Sequence, residues 1–508
     1  MAAKPFLRTS ASFAPSFALK HETPRSCGPW SRLASVALAT GALCLNGCIT
    51  NPAVFGKLDP ALIADVPAEW TAARIQVPGE AATGWLDDFS SSTLQKLAEE
   101  AVSKNYDLTS AAARVQAAQA RVRITGADRL PQFDADLNVN RSQNLRGASF
   151  QTVRANNFST GLNLSWEIDL WGRIANLRES ALDELEATRA DYQAARLSLA
   201  ASVARTSLEI VESELQIKLS EDTLESLRTN LEILDNKLEA GDADDRTALE
   251  ISLSRADVAR AEATIAQQQR EADASRRLLE TLLGEYPEGR IKALRDLPGV
   301  KRSVPVGLPS ELLLRRPDLV AAELRVDARL QDLAASRKTL LPAIRITGGG
   351  GTSTTDDFGD LFDIRNLVWN IGAGLTQPVF EGGRIRAEIA LSEAERDEIA
   401  AQYAETVLTA FREVETALAA EKHFARQQAA LETAARESVR AEELSLSQYE
   451  TGLVDIITLL ESQRRSFDSR SALLNLRLQR LQNRIDLYLA LGGDFDSTPE
   501  VVEPEERR

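Results

Sequence analysis

"GLNLSWEIDLWGRI", residues 161–174, aligns without gaps to "GAGLTQPVFEGGRI", residues 372–385, a displacement of 211 positions. The same displacement pairs Asp107-Leu108 with Asp318-Leu319, Leu130-Pro131 with Leu341-Pro342 and Tyr192 with Tyr403. Further along it pairs Gly241 with Gly452 and Leu249-Glu250 with Leu460-Glu461. One displacement held from Asp107 to Glu250 marks a tandem duplication. No period of about 20–50 residues recurs, which argues against a solenoid of small repeats.

Each copy has the same internal order. A helical segment ends at Leu-Pro, two alternating segments follow, and two long helical patterns come last. In "FDADLNV", residues 133–139, Phe133, Ala135, Leu137 and Val139 share one face, opposite Asp134, Asp136 and Asn138. In "FSTGLNLSWEI", residues 158–168, Leu162, Leu164, Trp166 and Ile168 oppose Asn163, Ser165 and Glu167. A period of two predicts strands. The second copy alternates through Ile344 and Ile346, then through Trp369, Ile371, Ala373 and Leu375. Beyond Arg173 the period changes. Ile210, Ile217, Leu224, Leu231 and Leu238 recur every seventh residue, as on a coiled-coil seam. A helix from Arg173 to Leu238 is about 100 Å long at a rise of ~1.5 Å per residue. Such a length suits a tube rather than a globular domain.

The chain of 508 residues has a formal net charge of −16 and a sequence pI of about 4.9, which argues against a nucleic-acid partner. Residues 1–47 hold five basic residues and one acid, and after Arg32 the apolar run "LASVALATGALCLNGC" leads to Cys48. This pattern reads as a signal peptide. "LNGC", Leu45 to Cys48, has the form of a lipoprotein signal, with Cys48 as the lipid attachment residue. Removing these residues takes the formal charge from −16 to −20 and leaves one cysteine, His423 and no methionine. A Cys/His metal cluster is then impossible, and no cofactor is expected. His423 lies in a helical pattern and reads as a surface residue.

Four strands cannot close a barrel, and an open sheet with an apolar outer face leaves two bare edges. Sharing between identical chains solves this, with eight strands in a dimer or twelve in a trimer. Glu167 and Asp169 admit another reading, a glycosidase pair on one strand face about 7 Å apart. The matched positions in the second copy are Pro378 and Phe380, which disfavours it.

Several stretches carry a resemblance: "LPSELLLRRPDLVAAE" (308–323), "LLPAI" (340–344), "SWEIDLWGRI" (165–174), "QPVFEGGRIRAEI" (377–389) and "YETGLVDIITLLESQR" (449–464). Through them the chain resembles the TolC-type outer-membrane efflux factors of the NodT-type lipoprotein branch. The resemblance implies a mainly α fold with a small β part. It implies a homotrimer sharing a twelve-stranded barrel above a long periplasmic α-helical barrel. It implies a passive exit duct in a tripartite pump with no enzymatic activity. The partners would be a periplasmic adaptor (membrane fusion) protein, an inner-membrane transporter of the RND type and outer-membrane lipid. The other duct reading is the outer channel of a type I protein-secretion system.

The expected organisation is a signal at 1–47, an anchored segment at 48–89, repeats at 90–295 and 303–495, and an acidic tail at 496–508. Strand-helix junctions are expected at Pro131, Gly172, Pro342, Pro378 and Gly383, and hairpin turns at Gly241 and Gly452. By the resemblance, Tyr449, Ile457, Thr458, Glu461 and Arg464 form a periplasmic gate, with Glu461 in an acidic ring. Val454 stands where TolC carries an arginine. In "RRPDL", Pro317 and Asp318 suit a helix start, and the two arginines before them carry no transport role.

Overall fold

The duplication is written into the element order. In the computed structural model, a helix pair α1 (Ser92–Lys104) and α2 (Tyr106–Ala127) leads to strands β1 (Gln132–Arg146) and β2 (Gln151–Ile168). Then come α3 (Arg173–Glu239) and α4 (Thr247–Leu282). The second copy repeats this as α5 (Pro309–Arg315), α6 (Pro317–Lys338), β3 (Ala343–Thr354), β4 (Leu367–Thr376), α7 (Arg384–Glu450) and α8 (Ile456–Ala490). Helices α3 and α7 each have 67 residues, about 100 Å at ~1.5 Å per residue. The structure describes residues 70–72, 85–89, 91–146, 151–240, 247–292, 294, 296–299, 304, 309–355 and 357–493. The expectations for Cys48, the signal, Gly241 and the acidic tail lie outside the described residues. Among the described residues, no helix is long and apolar enough to cross a membrane.

The sheet is antiparallel throughout, in the order β1-β2-β3-β4. Its register carries the alternation across all four strands. Phe133 faces Leu164 and Ala135 faces Leu162, while Leu164 faces Gly348 and Gly348 faces Ile371. One face is therefore apolar from edge to edge. Opposite it, Asp134 faces Asn163, Asn163 faces Gly349, and Gly349 faces Asn370. On this polar face Asp136 accepts hydrogen bonds from Asn138 Nδ2 and Asn163 Nδ2, both at 2.6 Å. The apolar face is exposed at Phe133, Leu137, Leu162, Trp369, Ile371 and Leu375. Strand β1 runs past the apolar alternation through polar residues to Arg146. Its ladder with β2 continues there because backbone pairing does not require apolar side chains.

Two of the three apolar clusters among the described residues join the first copy to the second. The larger one gathers Leu208 of α3, Leu319 and Val326 of α6, Val407 and Val414 of α7, and Ile485 of α8. Trp70, Trp85 and Phe89, which precede α1, pack into the same cluster. Trp85 and Phe89 are tied there by Asp88, which pairs with Tyr488 Oη and with Arg484 at 3.3 Å. The smaller cluster lies where the two hairpins meet and is described below. The seven-residue line on α3 is only part of its buried surface. Ile210 and Leu224 are buried, but Leu238 is exposed in the last turn. Helix α3 packs against both α4 and α8, so two flanks are covered and the buried stripe is wider than one seam.

"RRPDL" does more than start a helix. Pro317 occupies the first turn of α6, as expected. Arg316 is buried and donates to Asp318 at 2.7 and 3.0 Å, to Glu413 of α7 at 2.6 Å and to the Ala490 carbonyl of α8 at 3.3 Å. It clamps three helices together. Glu413 and Ala490 are distant in sequence, so nothing in the motif itself announced them.

Candidate functional site

Two regions bring the singled-out residues together: the strand-helix junctions and the tip where the hairpins meet. At the first junction, β2 ends at Ile168 and α3 begins at Arg173. Gly172 sits between them with φ 72°, a left-handed conformation that favours glycine. Its twin Gly383 precedes α7 with φ 89°. Gly172 has no side chain to cap the helix. Asp169 does so instead, accepting from the Ile174 amide at 3.1 Å and the Ala175 amide at 2.7 Å. A carboxylate at these free amides also meets the positive end of the helix dipole.

Asp169 therefore lies beyond the strand, which corrects the expectation that it shares a strand face with Glu167. Glu167 accepts from Arg173 Nη2 at 2.7 Å and Arg345 Nη2 at 3.5 Å. Both carboxylates of the glycosidase reading thus hold the junction. Trp171 Nε1 donates to the Pro342 carbonyl at 2.8 Å, and Lys338 Nζ donates to the Gly172 carbonyl at 3.1 Å and Asn176 Oδ1 at 2.6 Å. The first junction is thereby pinned to the end of α6 and the start of β3. Pro131 immediately precedes β1, and Pro342 immediately precedes β3. At the second junction Pro378 follows β4, and Val379 and Phe380 beside it are exposed.

At the hairpin tip, α7 ends at Glu450, and Gly452 turns the chain with φ 74°. Tyr449 is buried in a cluster with Leu227 and Leu234 of α3, Ile251 of α4, and Ile456 and Leu459 of α8. Lys237 Nζ lies 5.0 Å from the centre of the Tyr449 ring. Among the described residues, the buried Tyr449 hydroxyl has no hydrogen-bond partner. Asp455 caps α8, accepting from the Thr458 amide at 2.9 Å and its hydroxyl at 2.7 Å. Ile457 is exposed.

Glu461 accepts from Arg464 at 2.6 and 3.1 Å and from Arg465 at 2.8 Å. These hydrogen bonds, Arg465 first, hold its carboxyl below the usual carboxylate range. All three residues lie on α8, so among the described residues the ion pairs of Glu461 stay within one helix. Sequence reasoning missed Arg465. It also missed the polar link between the hairpins, where Gln463 of α8 bonds to Asn230 and Ser226 of α3, both at 2.8 Å. A glutamine buried at a helix crossing leaves no distinct sequence signal.

A family description, outer membrane efflux protein, matches this chain twice, over residues 97–285 and 308–493. The chain belongs to the outer membrane efflux protein family. The two matched segments follow the duplicated element order. Among its relatives, the chain is 32% identical over 478 residues to the pyoverdine export outer membrane protein OpmQ of Pseudomonas aeruginosa, covering 91% of this chain and 97% of the relative. It is 30% identical over 461 residues to the cation efflux system protein CusC of Escherichia coli, covering 89% and 97%. Among solved structures, the open-state MtrE outer membrane channel of Neisseria gonorrhoeae superposes with a TM-score of 0.75 at 28% identity, over 84% of this chain and 96% of that one. The fold is that of the TolC-like outer-membrane channels, and the family function is to serve as the outer-membrane duct of an efflux system.

Proposed function

We propose that three copies of this chain close a twelve-stranded barrel in the outer membrane, continued by a helical tunnel through the periplasm. The apolar sheet face meets lipid and the polar face lines water. The single observation that carries this reading is the four-stranded sheet, apolar on one whole face and bare along its β1 and β4 edges. Neither feature is stable in water for one chain alone. Cys48 would carry the lipid anchor. The duct would take small molecules from an inner-membrane transporter of the RND type through a periplasmic adaptor. The relatives are named for pyoverdine export and for cation efflux. That spread suggests that the pump, rather than the duct, selects the cargo.

The gate would lie at the hairpin tip. Tyr449 and its apolar cluster hold the hairpins together, and opening would separate α3 from α8 at Gln463. Three copies of Glu461 in a narrow passage would favour cations. Reconstitution of the purified protein in planar bilayers tests both parts. Discrete cation-preferring conductance is expected, with Glu461→Ala weakening the preference. A monomeric particle with no conductance would overturn the duct, and unchanged selectivity in the variant would remove Glu461 from the gate.

A further inference from the structure

Between β3 and β4 the chain folds back onto the sheet as two short 3-10 helices, Phe358–Phe362 and Ile364–Asn366. A 3-10 helix sets residues three apart on one face. Here Phe358 and Leu361 share the face turned to the sheet. The Phe358 ring meets the Phe158 ring of β2 edge-on at 5.7 Å. Leu361 is buried, and its carbonyl accepts from the Thr352 hydroxyl of β3 at 2.7 Å. The flap also braces itself. Asp357 accepts from the Gly359 amide at 3.3 Å, Asp363 from the Arg365 amide at 2.9 Å, and the Asp360 carbonyl from Asn366 Nδ2 at 2.8 Å.

The register decides which face of the sheet it covers. Val139 faces Phe158, and Phe158 faces Thr354. Leu137 faces Thr160, Thr160 faces Thr352, and Thr352 faces Leu367. All of these lie on the apolar face. Towards this end the face changes from leucine and isoleucine to threonine. The Thr160 and Thr352 hydroxyls lie 2.9 Å apart, Thr354 is buried, and the flap packs over this patch. What the flap presents outward is apolar again: Phe362 is 84% exposed and Ile364 80%. Leaving such side chains in water forgoes about 1.5–3 kcal/mol each.

Its height fits the same picture. Ile168, beside the first junction, and Phe158, under the flap, are ten residue steps apart on β2. At ~3.3 Å per residue that is about 33 Å along the strand. A strand tilt of roughly 40° makes it a height of about 25 Å, which is the height of an apolar membrane band. The flap thus sits at the rim farthest from the strand-helix junctions.

We infer that residues 357–366 form a lipid-side flap at the outer rim of the barrel, with Phe362 and Ile364 seated among the acyl chains of the outer leaflet. This rests on the shared-barrel reading and adds an anchor at the rim opposite the junctions. Lipid is the occupant because the flap continues the apolar face that runs through the exposed Trp369 and Ile371 of β4. Asp357, Asp360 and Arg365, exposed on the same two turns, suit the level of the headgroups.

The test uses the full chain in vesicles of phosphatidylcholine and phosphatidylglycerol, with one nitroxide label at a time. Collisions with oxygen, which concentrates in the bilayer, are compared with collisions with a water-soluble nickel chelate. The labelled variants are Phe362→Cys, Ile364→Cys, Ile371→Cys in the middle of the apolar face, and Ser353→Cys on the polar face near the height of the flap. All four positions are exposed, so no packed side chain is lost. The unsubstituted chain, treated alike, gives the blank for Cys48. The oxygen-to-nickel ratio at Phe362→Cys and Ile364→Cys is expected to exceed that at Ser353→Cys severalfold, as it should at Ile371→Cys. Nickel-favoured collisions at 362 and 364, with oxygen still favoured at 371, would overturn the flap and leave the shared barrel standing. Labels at 362 and 364 that meet neither probe would place them against protein, such as a neighbouring copy, and would overturn it as well. Nickel-favoured collisions at 371 would sink the lipid-facing sheet itself.

Discussion

Replacing Asp169 with alanine should loosen the first turn of α3 without disturbing the corresponding turn of α7. Asp169 accepts two amides, from Ile174 at 3.1 Å and Ala175 at 2.7 Å, and no side chain at Gly172 can take over. A capping side chain is worth roughly 0.5–2 kcal/mol, and a carboxylate at a helix N-terminus adds about 0.3–1 kcal/mol. The site is half-buried, so the two amides would be only partly rehydrated. A loss of about 1.5–2 kcal/mol in local opening free energy follows, which corresponds to exchange roughly 10- to 30-fold faster. Hydrogen exchange followed by mass spectrometry on peptides covering residues 170–180 measures this directly. Asp169→Asn keeps an acceptor but loses the charge, so its effect should be clearly smaller. Helix α7 supplies an internal control, since Gly383 precedes it and no side chain among the described residues caps its first turn. Its first turn should exchange equally in wild type and variant. Unchanged exchange at Ile174 and Ala175 in Asp169→Ala would show that the cap carries no free energy, and the structural reading of the junction carboxylates would fall.

Three further outcomes are expected. Arg316→Ala removes four hydrogen bonds that join α6, α7 and α8, but Asp318 and Glu413 are exposed enough to rehydrate. The cost should be about 2–3 kcal/mol rather than that of a fully buried pair, read as a lower thermal midpoint that Arg316→Lys recovers only in part. Burial, with Asp327 and then Glu179 nearby, raises the Asp183 carboxyl to about 6. The folded state then binds a proton that the unfolded state has released, so this group costs stability as pH rises from about 4 through 6. Asp183→Asn should raise the thermal midpoint at pH 7.5, with the gain shrinking by pH 5; a gain independent of pH would refute this. At the tip, the buried Tyr449 hydroxyl has no partner among the described residues, so Tyr449→Phe should leave the closed channel as tight or tighter. Tyr449→Ala opens a cavity in the tip cluster and should raise bilayer conductance, whereas a leaky Tyr449→Phe would mean that the hydroxyl does the holding.

The sequence by itself determined the duplication, the four strands with their apolar and polar faces, and the long helices after Gly172 and Gly383. These are properties of local periodicity and of backbone conformations that favour glycine, so they are visible wherever neighbours in the chain dictate structure. The family was legible for the same reason, through motifs that sit at turns and junctions. The tertiary structure decided what the polar residues do. Asp169 became a helix cap and not a strand residue, because the strand ends one residue before it. Arg316 became a three-helix clamp, and Gln463 a bridge between hairpins, through partners far away in sequence. Polar side chains take their roles from the acceptors and donors that folding brings within 3 Å or so, and spacing along a chain does not encode that geometry.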